Sequence, residues 1–187
     1  DNLNALPISF KSDKQQTLNG FLYSSAKVDA YKGLIVFSHG MGAGHLAYTT
    51  EINYLAQKGY IVLAYDNTGT CTSEGKRIKG FAQGIIDLKY ALDFVKTRDD
   101  LKDLSVLLVG HSWGAYSVSN VSALNPSVEI KGIVAFSPFN SMNKLIRDIA
   151  KQKTKANLSI LSPFFDIINF IRFGKAMQGG IRMIFSS

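Results

Sequence analysis

The sequence predicts an α/β fold in which a doubly wound, mostly parallel sheet is followed by a helical cap segment. Short apolar runs alternate with amphipathic segments at the spacing of β-α-β units. Most of these runs are apolar at every position, which is typical of strands buried on both faces of a parallel sheet. With 187 residues, 46% of them hydrophobic and 19% charged, the chain is long enough to bury a core.

The elements follow one another in a regular order. Residues 6–24 are expected to form strands joined by a turn. Buried strands are then predicted at 33–38, 60–65, 105–109 and 132–136. Helices are predicted at 47–57, 81–97 and 113–124, where apolar residues recur every three or four positions.

Three segments are expected: a core over 1–140, a helical cap or lid over 141–175, and a C-terminal remnant over 176–187. The net charge of +7 is concentrated after residue 140. The Ser162–Pro163 pair predicts the start of an apolar helix in the cap, because serine is a good N-cap and proline suits the first helical position. A solvated basic face is the simplest interpretation of this charge, and attraction to acidic substrates or to an anionic lipid surface is the alternative.

Several classes of protein and site are excluded by composition. No apolar stretch approaches ~18 residues, so no transmembrane segment is expected, and a cytoplasmic location is the working expectation. Cys71 is the only cysteine and there are three histidines, so neither an internal disulfide nor a structural zinc site is expected. No nucleic-acid-binding module is recognisable. We expect no cofactor and no metal.

The most informative motif is G-x-S-x-G, between a predicted strand and a predicted helix. Its residues are Gly110, His111, Ser112, Trp113 and Gly114. A serine at such a tight turn holds its hydroxyl above the edge of the sheet in a strained conformation, and flanking glycines let neighbouring backbone pass close by. The pattern predicts Ser112 as a nucleophile. The alternative is a glycine-flanked serine that caps a helix.

A second motif ends the first buried strand and consists of His39, Gly40, Met41 and Gly42. Acyl transfer requires N–H donors aimed at the developing oxyanion. We predict that the backbone of Trp113 supplies one donor and that of Met41 the other. A dinucleotide-binding turn is excluded because the spacing does not fit G-x-G-x-x-G. A plain glycine-rich turn is the remaining alternative.

With these motifs, residues 1–140 resemble the α/β-hydrolase superfamily, and look most like its esterase, lysophospholipase and serine-aminopeptidase-like branch. The resemblance rests on the turn at His39, the loop after Asp66, the Ser112 turn and the strand end at Ser137. In this branch the second loop usually reads D-x-x-G-x-G-x-S-x-G. Here Cys71 replaces the second glycine, which is expected to reshape the loop and to place Cys71 beside the site without making it the nucleophile.

A serine nucleophile needs a base, usually a histidine held by a carboxylate. The resemblance implies that both follow the nucleophile along the chain, yet all three histidines precede Ser112. His39 belongs to the glycine-rich turn, and His111 is expected to point away from Ser112. His45 is the remaining candidate, with a helix-start or surface histidine as the alternative. The acidic residues after the last predicted strand of the core are Asp148 and Asp166, and neither comes with a histidine.

The resemblance also implies two further β-α units that would carry the acid and the base. We therefore expect an incomplete hydrolase, through a gene fragment, a frameshift or a truncation, with a natural pseudoenzyme as the alternative. The expected activity is hydrolysis of a carboxylic ester, or less favourably of a thioester or amide. The alternative is binding of an acyl or ester ligand without turnover.

The apolar helix near Pro163 is expected to fold over Ser112 and to shape an acyl pocket. The residues predicted to line it are Phe164, Phe165, Ile168 and Ile171. Packing on the sheet, a poorly ordered tail and insertion at a lipid surface are the alternatives.

Overall fold

The computed structural model of the chain describes residues 3–76 and 80–138. They form a six-stranded mixed sheet in the order β1-β2-β4-β3-β5-β6, within a compact unit that spans Asp1–Pro138. The strands are β1 (Leu3–Lys11), β2 (Thr17–Ser25), β3 (Gly33–Ser38), β4 (Tyr60–Tyr65), β5 (Val106–His111) and β6 (Ile130–Phe136).

Four strands, β4, β3, β5 and β6, pair in parallel, and the hairpin β1–β2 adds to them in antiparallel fashion. Parallel strands need a crossover, whereas antiparallel neighbours can be joined by a short turn. The hairpin turn closes at Gln15, whose φ of +62° lies in the left-handed region. The doubly wound, mostly parallel sheet predicted from the apolar runs is therefore confirmed.

Helices cover both faces of this sheet. Side chains alternate between the faces of a strand, and Ile35 and Phe37 of β3 share an apolar cluster with Ile52. Leu34 and Val36 point to the opposite face, where two helices pack against each other and against β3. The helices are α1 (Thr49–Gln57), which carries Ile52, and the pair α2 (Ala82–Thr97) and α3 (Trp113–Asn120), with 3-10 turns at His45–Tyr48 and Val121–Leu124.

The last predicted strand differs from expectation. β6 forms at the predicted place, but Ile133, Val134 and Phe136 are 43–54% exposed, so it is not a buried strand. Among the described strands it pairs with β5 alone, and this position at the edge of the sheet explains the exposure. Apolarity at every position indicates a capacity for burial, and the neighbours in the fold decide whether burial occurs.

The predicted cap and remnant, residues 141–187, lie outside the described residues, as do Phe164, Phe165, Ile168 and Ile171. Within residues 3–76 and 80–138, no helix has the length and hydropathy needed to cross a bilayer.

Candidate active site

Ser112 occupies the junction between β5 and α3 in a strained backbone conformation. Its φ is +53° and its ψ is −110°, a region that residues other than glycine rarely adopt. Its N–H donates to the carbonyl of Phe136 at 2.9 Å, and its carbonyl accepts from the N–H of Tyr116 at 3.0 Å. The Ser112 side chain makes no capping hydrogen bond to α3, so helix capping does not explain this serine.

The glycines on either side of Ser112 are required by close backbone contacts. A Cβ on Gly110 would lie 2.4 Å from the carbonyl carbon and oxygen of Gly114. A Cβ on Gly114 would lie 1.9 Å from the carbonyl oxygen of Ser38. Both distances are shorter than any tolerated contact, so only glycine fits at either position. The second contact also brings the start of α3 against the end of β3.

The glycine-rich turn after β3 therefore lies beside the Ser112 turn. The hypothetical Cβ of Gly114 would also lie 2.9 Å from the His39 carbonyl oxygen. The Gly40 N–H donates to the Tyr48 hydroxyl at 3.0 Å. The Met41 side chain is 45% exposed, and Gly42 has a φ of +77°. The two motifs that the sequence places 70 residues apart thus meet at one edge of the sheet.

His39 holds this turn to the loop that follows β4. Its ring is fully buried. Nδ1 lies 2.8 Å from the Gly40 carbonyl oxygen, which can only accept, so Nδ1 carries the proton. Nε2 then accepts the Asn67 backbone N–H at 3.0 Å. Burial lowers the pKa of His39, although the hydrogen bond to Gly40 and the charge of Asp66 act in the opposite direction.

Because its pKa is lowered in the folded chain, we expect His39 to make stability depend on pH. The neutral ring contributes stability fully above its ordinary pKa of 6.5. This contribution is lost as the pH falls from there through the folded pKa. Urea unfolding should give a smaller free energy of unfolding at pH ~5 than at pH ~7.5. In His39→Asn, which cannot titrate, the difference between the two pH values should shrink. An equal difference in both proteins would contradict the prediction.

His45 is bound to the carboxylate of Asp66, the first residue after β4. Its Nδ1 lies 2.8 Å from Oδ1, and its backbone N–H donates to the same oxygen at 2.9 Å. Burial raises the pKa of Asp66, but the hydrogen bonds from His45 and Thr72 outweigh burial and hold that pKa well below its ordinary value. His45 begins a 3-10 turn, which agrees with the alternative of a histidine at a helix start. It is only 1% exposed, so a surface position is wrong.

This burial also argues against His45 as the base for Ser112. The His45 ring lies against Phe21 and Tyr23 of β2, with centroid distances of 5.6 and 6.2 Å. Its partner Asp66 directly follows β4. Strand β3 separates β4 from β5, which leads to Ser112. β4 and β5 are therefore two strand spacings apart, about 10 Å, which is well beyond the reach of a hydrogen bond.

Cys71 lies beside the end of the glycine-rich turn that follows β3, as the sequence predicts. A Cβ on Gly44 would be 2.4 Å from Sγ of Cys71 and 2.7 Å from Oδ1 of Asp66, so Gly44 is required there. Cys71 has a φ of +40°, a conformation that favours the glycine it replaces. Burial, followed by the charge of Asp66, raises the pKa of its thiol. A raised pKa disfavours the thiolate and hence a nucleophilic role.

The comparison with protein families decides which kind of protein this is. A family described as "Serine aminopeptidase, S33" matches residues 29–175 of the chain, which include both motifs. The chain belongs to this family. It is therefore an α/β-hydrolase, and the resemblance drawn from the motifs is confirmed.

This S33 family chain is similar to lipases in sequence and to esterases in fold. It is 28% identical over 142 residues to the monoglyceride lipases of Rattus norvegicus and Mus musculus, which covers 75% of the chain and 43% of each lipase. It thus spans less than half the length of these relatives. An esterase of Pyrococcus furiosus superimposes with a TM-score of 0.70 at 22% identity, covering 96% of the chain and 68% of the esterase. Brefeldin A esterase superimposes with a TM-score of 0.67 at 17% identity, covering 90% and 53%.

Within this S33 family chain, the structure brings most of the predicted site residues together. The serine turn and the glycine-rich turn are in contact through Gly114. The side chain of Trp113 is fully buried, and its Nε1–H donates to the Phe81 carbonyl at 2.7 Å. His111 bonds through Nδ1 to the Tyr48 hydroxyl at 2.8 Å. The predicted acyl pocket lies outside the described residues and stays a prediction.

Sequence reasoning missed Asp87, a buried carboxylate on α2. It accepts hydrogen bonds from Ser12 (2.7 Å), from both the backbone and the hydroxyl of Thr68 (2.8 and 2.9 Å), and from Gln83 (2.9 Å). Burial raises its pKa despite these four bonds. Asp87 thereby ties the β1–β2 hairpin and the loop after β4 to α2. No local pattern marks it, because Ser12 and Thr68, which account for three of these four bonds, are distant in sequence.

Proposed function

We propose that this chain carries the nucleophile and the oxyanion-binding turn of a serine hydrolase that cleaves carboxylic esters. The observation that carries the proposal is the strained Ser112 turn packed directly against the glycine-rich turn after β3. Strain of this kind at a strand–helix junction is a feature of nucleophilic serines. The membership of the S33 family supports hydrolysis as the reaction class.

In this proposal the Ser112 hydroxyl attacks the ester carbonyl and passes its proton to a base. The tetrahedral oxyanion accepts hydrogen bonds from the N–H groups of Met41 and Trp113. Trp113 is the first residue of α3, and the first N–H groups of a helix have no partner within it. The intermediate collapses to an acyl-serine with loss of the alcohol, and water then releases the acid.

None of the three histidines is proposed as the base. His39 is buried and uses both ring nitrogens in bonds to Gly40 and Asn67. His45 is excluded by its position, because its ring packs against β2, and β4 and β3 lie between β2 and the strand that leads to Ser112. His111 directs Nδ1 to Tyr48. The base is therefore proposed to be a group other than these three. On its own, the chain is expected to turn over a short p-nitrophenyl ester very slowly, because loss of the base costs several orders of magnitude in rate.

The proposed substrate is an ester of a fatty or other apolar acyl group. The monoglyceride lipases of rat and mouse are named for such an ester, and the esterases that share the fold are named for ester cleavage. A thioester or a peptide bond would use the same nucleophile and oxyanion donors, and the family description includes an aminopeptidase.

A fluorophosphonate probe tests the nucleophile directly. The chain is incubated with the probe, with and without imidazole as an external base, and the adduct is mapped by mass spectrometry of peptides. We expect the adduct on Ser112, forming faster when imidazole is present. An adduct confined to other serines, or none under either condition, would overturn the proposal.

The second candidate function is binding of an acyl or ester ligand without turnover. It is favoured by one observation, the placement of the histidines: His39 uses both ring nitrogens within the fold, His45 is buried against β2, and His111 bonds to Tyr48. Equilibrium binding of a long-chain ester with no adduct at Ser112 would favour it. Acyl-serine formation on a long-chain p-nitrophenyl ester, seen as a burst of p-nitrophenol, would exclude it.

Removal of the Met41 N–H should slow phosphonylation about 100-fold, the effect typical of losing one oxyanion donor. Met41→Pro removes this donor because proline has no backbone N–H. Met41→Leu keeps it, and the side chain is 45% exposed, so leucine should be tolerated. The measurement is the rate of fluorophosphonate labelling, with circular dichroism as a check on folding. Equal rates in a folded Met41→Pro and in Met41→Leu would show that Met41 is not a donor.

A further inference from the structure

We propose that the Tyr48 hydroxyl is a positioning group for the oxyanion-binding turn. This inference rests on the proposed function, since it concerns the same turn. Tyr48 ends the 3-10 turn that leads into α1. No motif singles it out, and its role follows from contacts that join three separate segments of the chain.

The hydroxyl of Tyr48 lies between the two predicted motifs. It accepts the Gly40 N–H at 3.0 Å. His111 Nδ1 lies 2.8 Å away and shares a second hydrogen bond with the hydroxyl. One hydroxyl can donate one bond and accept two. The chain of bonds therefore runs from Gly40 through Tyr48 to His111, the residue immediately before Ser112.

The Tyr48 ring is itself held in place. It packs against Phe37 at a centroid distance of 5.1 Å and against His111 at 5.6 Å. A Cβ on Gly40 would lie 2.8 Å from the Tyr48 hydroxyl, so the glycine turn and the hydroxyl fit closely. The hydroxyl thus has a defined position before any substrate binds.

The position of this hydroxyl matters for the residue after Gly40. The Met41 N–H belongs to the peptide that follows Gly40, so its direction depends on the φ and ψ of Gly40. Glycine has unusual freedom in these angles. The bond to Tyr48 holds the peptide before Gly40, and the bond from His39 Nδ1 to the Gly40 carbonyl oxygen, at 2.8 Å, holds the peptide after it, so the two bonds together restrict these angles. Oxyanion donors act through preorganised direction. Tyr48, on the amide side of Gly40, is therefore assigned the task of holding the Met41 donor in line with Ser112, together with His39 on the carbonyl side.

The test compares Tyr48→Phe with Tyr54→Phe. Phenylalanine keeps the ring at position 48 and removes only the hydroxyl. Tyr54 lies on α1 and is 59% exposed, which makes it a matched control. The phosphoryl oxygen of a fluorophosphonate takes the place of the substrate carbonyl oxygen. We expect the maximal rate of Ser112 labelling to fall about tenfold in Tyr48→Phe, with the probe concentration for half-maximal rate unchanged, and no change in Tyr54→Phe.

Two further readouts separate positioning from a general loss of structure. Amide hydrogen exchange at Gly40 should accelerate in Tyr48→Phe and not in Tyr54→Phe. His111→Asn, whose amide can donate or accept a hydrogen bond with the Tyr48 hydroxyl, should keep a higher labelling rate than His111→Leu.

The outcomes distinguish this inference from the proposed function. Labelling of Tyr48→Phe at the rate of the unaltered chain would overturn the role of Tyr48 and leave Ser112 as the nucleophile. A change confined to the half-maximal concentration, or unchanged exchange at Gly40, would also overturn it. Failure of the unaltered chain to label at Ser112 would overturn the proposed function and the role of Tyr48 with it.

Discussion

Replacing Ser112 with alanine should abolish labelling of the site by a fluorophosphonate and leave the fold intact. Alanine lacks the oxygen that would form the bond to phosphorus. The fold should survive because the Ser112 side chain makes no capping hydrogen bond to α3. The backbone bonds to Phe136 and Tyr116 use main-chain atoms that alanine retains. The measurements are mass spectrometry of the labelled protein and urea unfolding.

Ser137→Ala is the matched control for this experiment. Ser137 follows β6, the strand next to β5, and it also has a left-handed backbone, with φ of +51°. Removing its hydroxyl should leave the labelling rate at Ser112 unchanged. If Ser112→Ala were labelled at the original rate, Ser112 would not be the nucleophile, and loss of labelling in Ser137→Ala alone would move the assignment to Ser137.

Gly114→Ala should lower the free energy of unfolding by about 3 kcal/mol or more, a large part of the stability of a typical domain. The new Cβ would lie 1.9 Å from the Ser38 carbonyl oxygen. That oxygen belongs to the backbone of the fully buried strand β3, which cannot move away without disturbing its pairing with β4 and β5. The measurement is urea unfolding followed by circular dichroism.

Gly132→Ala provides the comparison for this second variant. A Cβ there would meet only the end of the Leu107 side chain, at 3.1 Å, and a side chain can adjust. The change in free energy of unfolding should stay within about 1 kcal/mol, and alanine reduces the freedom of the unfolded chain. Similar losses in the two variants would contradict the role assigned to the Gly114 contact.

The local patterns in the sequence were sufficient for most of the fold. Strand β3 is buried at every position, as its unbroken apolar run predicts. The serine turn was also readable, because glycine at 110 and 114 is demanded by backbone contacts that no other residue permits. The apolar run and the Gly110–Gly114 contact depend on residues close together in the chain, where composition and spacing carry the information, whereas the Gly114 contact with Ser38 joins distant segments.

The environment of the histidines could not be read in this way. His45 is separated from Asp66 by 21 residues and is buried against two aromatic rings of β2. Nothing in its neighbourhood along the chain distinguishes it from an exposed residue at a helix start. The pairing of His45 with Asp66 arises because β3 and β4 are parallel neighbours whose ends lie at the same edge of the sheet, and the contact with the β2 rings arises because β2 lies beside β4.

The sequence by itself determined which residues are candidates for chemistry, and the tertiary structure decided the surroundings of each. The serine turn, the glycine-rich turn and the family all follow from short motifs. The exposure of β6, the burial of His45 and the bridge from Gly40 through Tyr48 to His111 follow only from the packing of distant segments. The physical reason is that backbone conformation is set largely by neighbours in the chain, whereas burial and hydrogen-bond partners are set by neighbours in space.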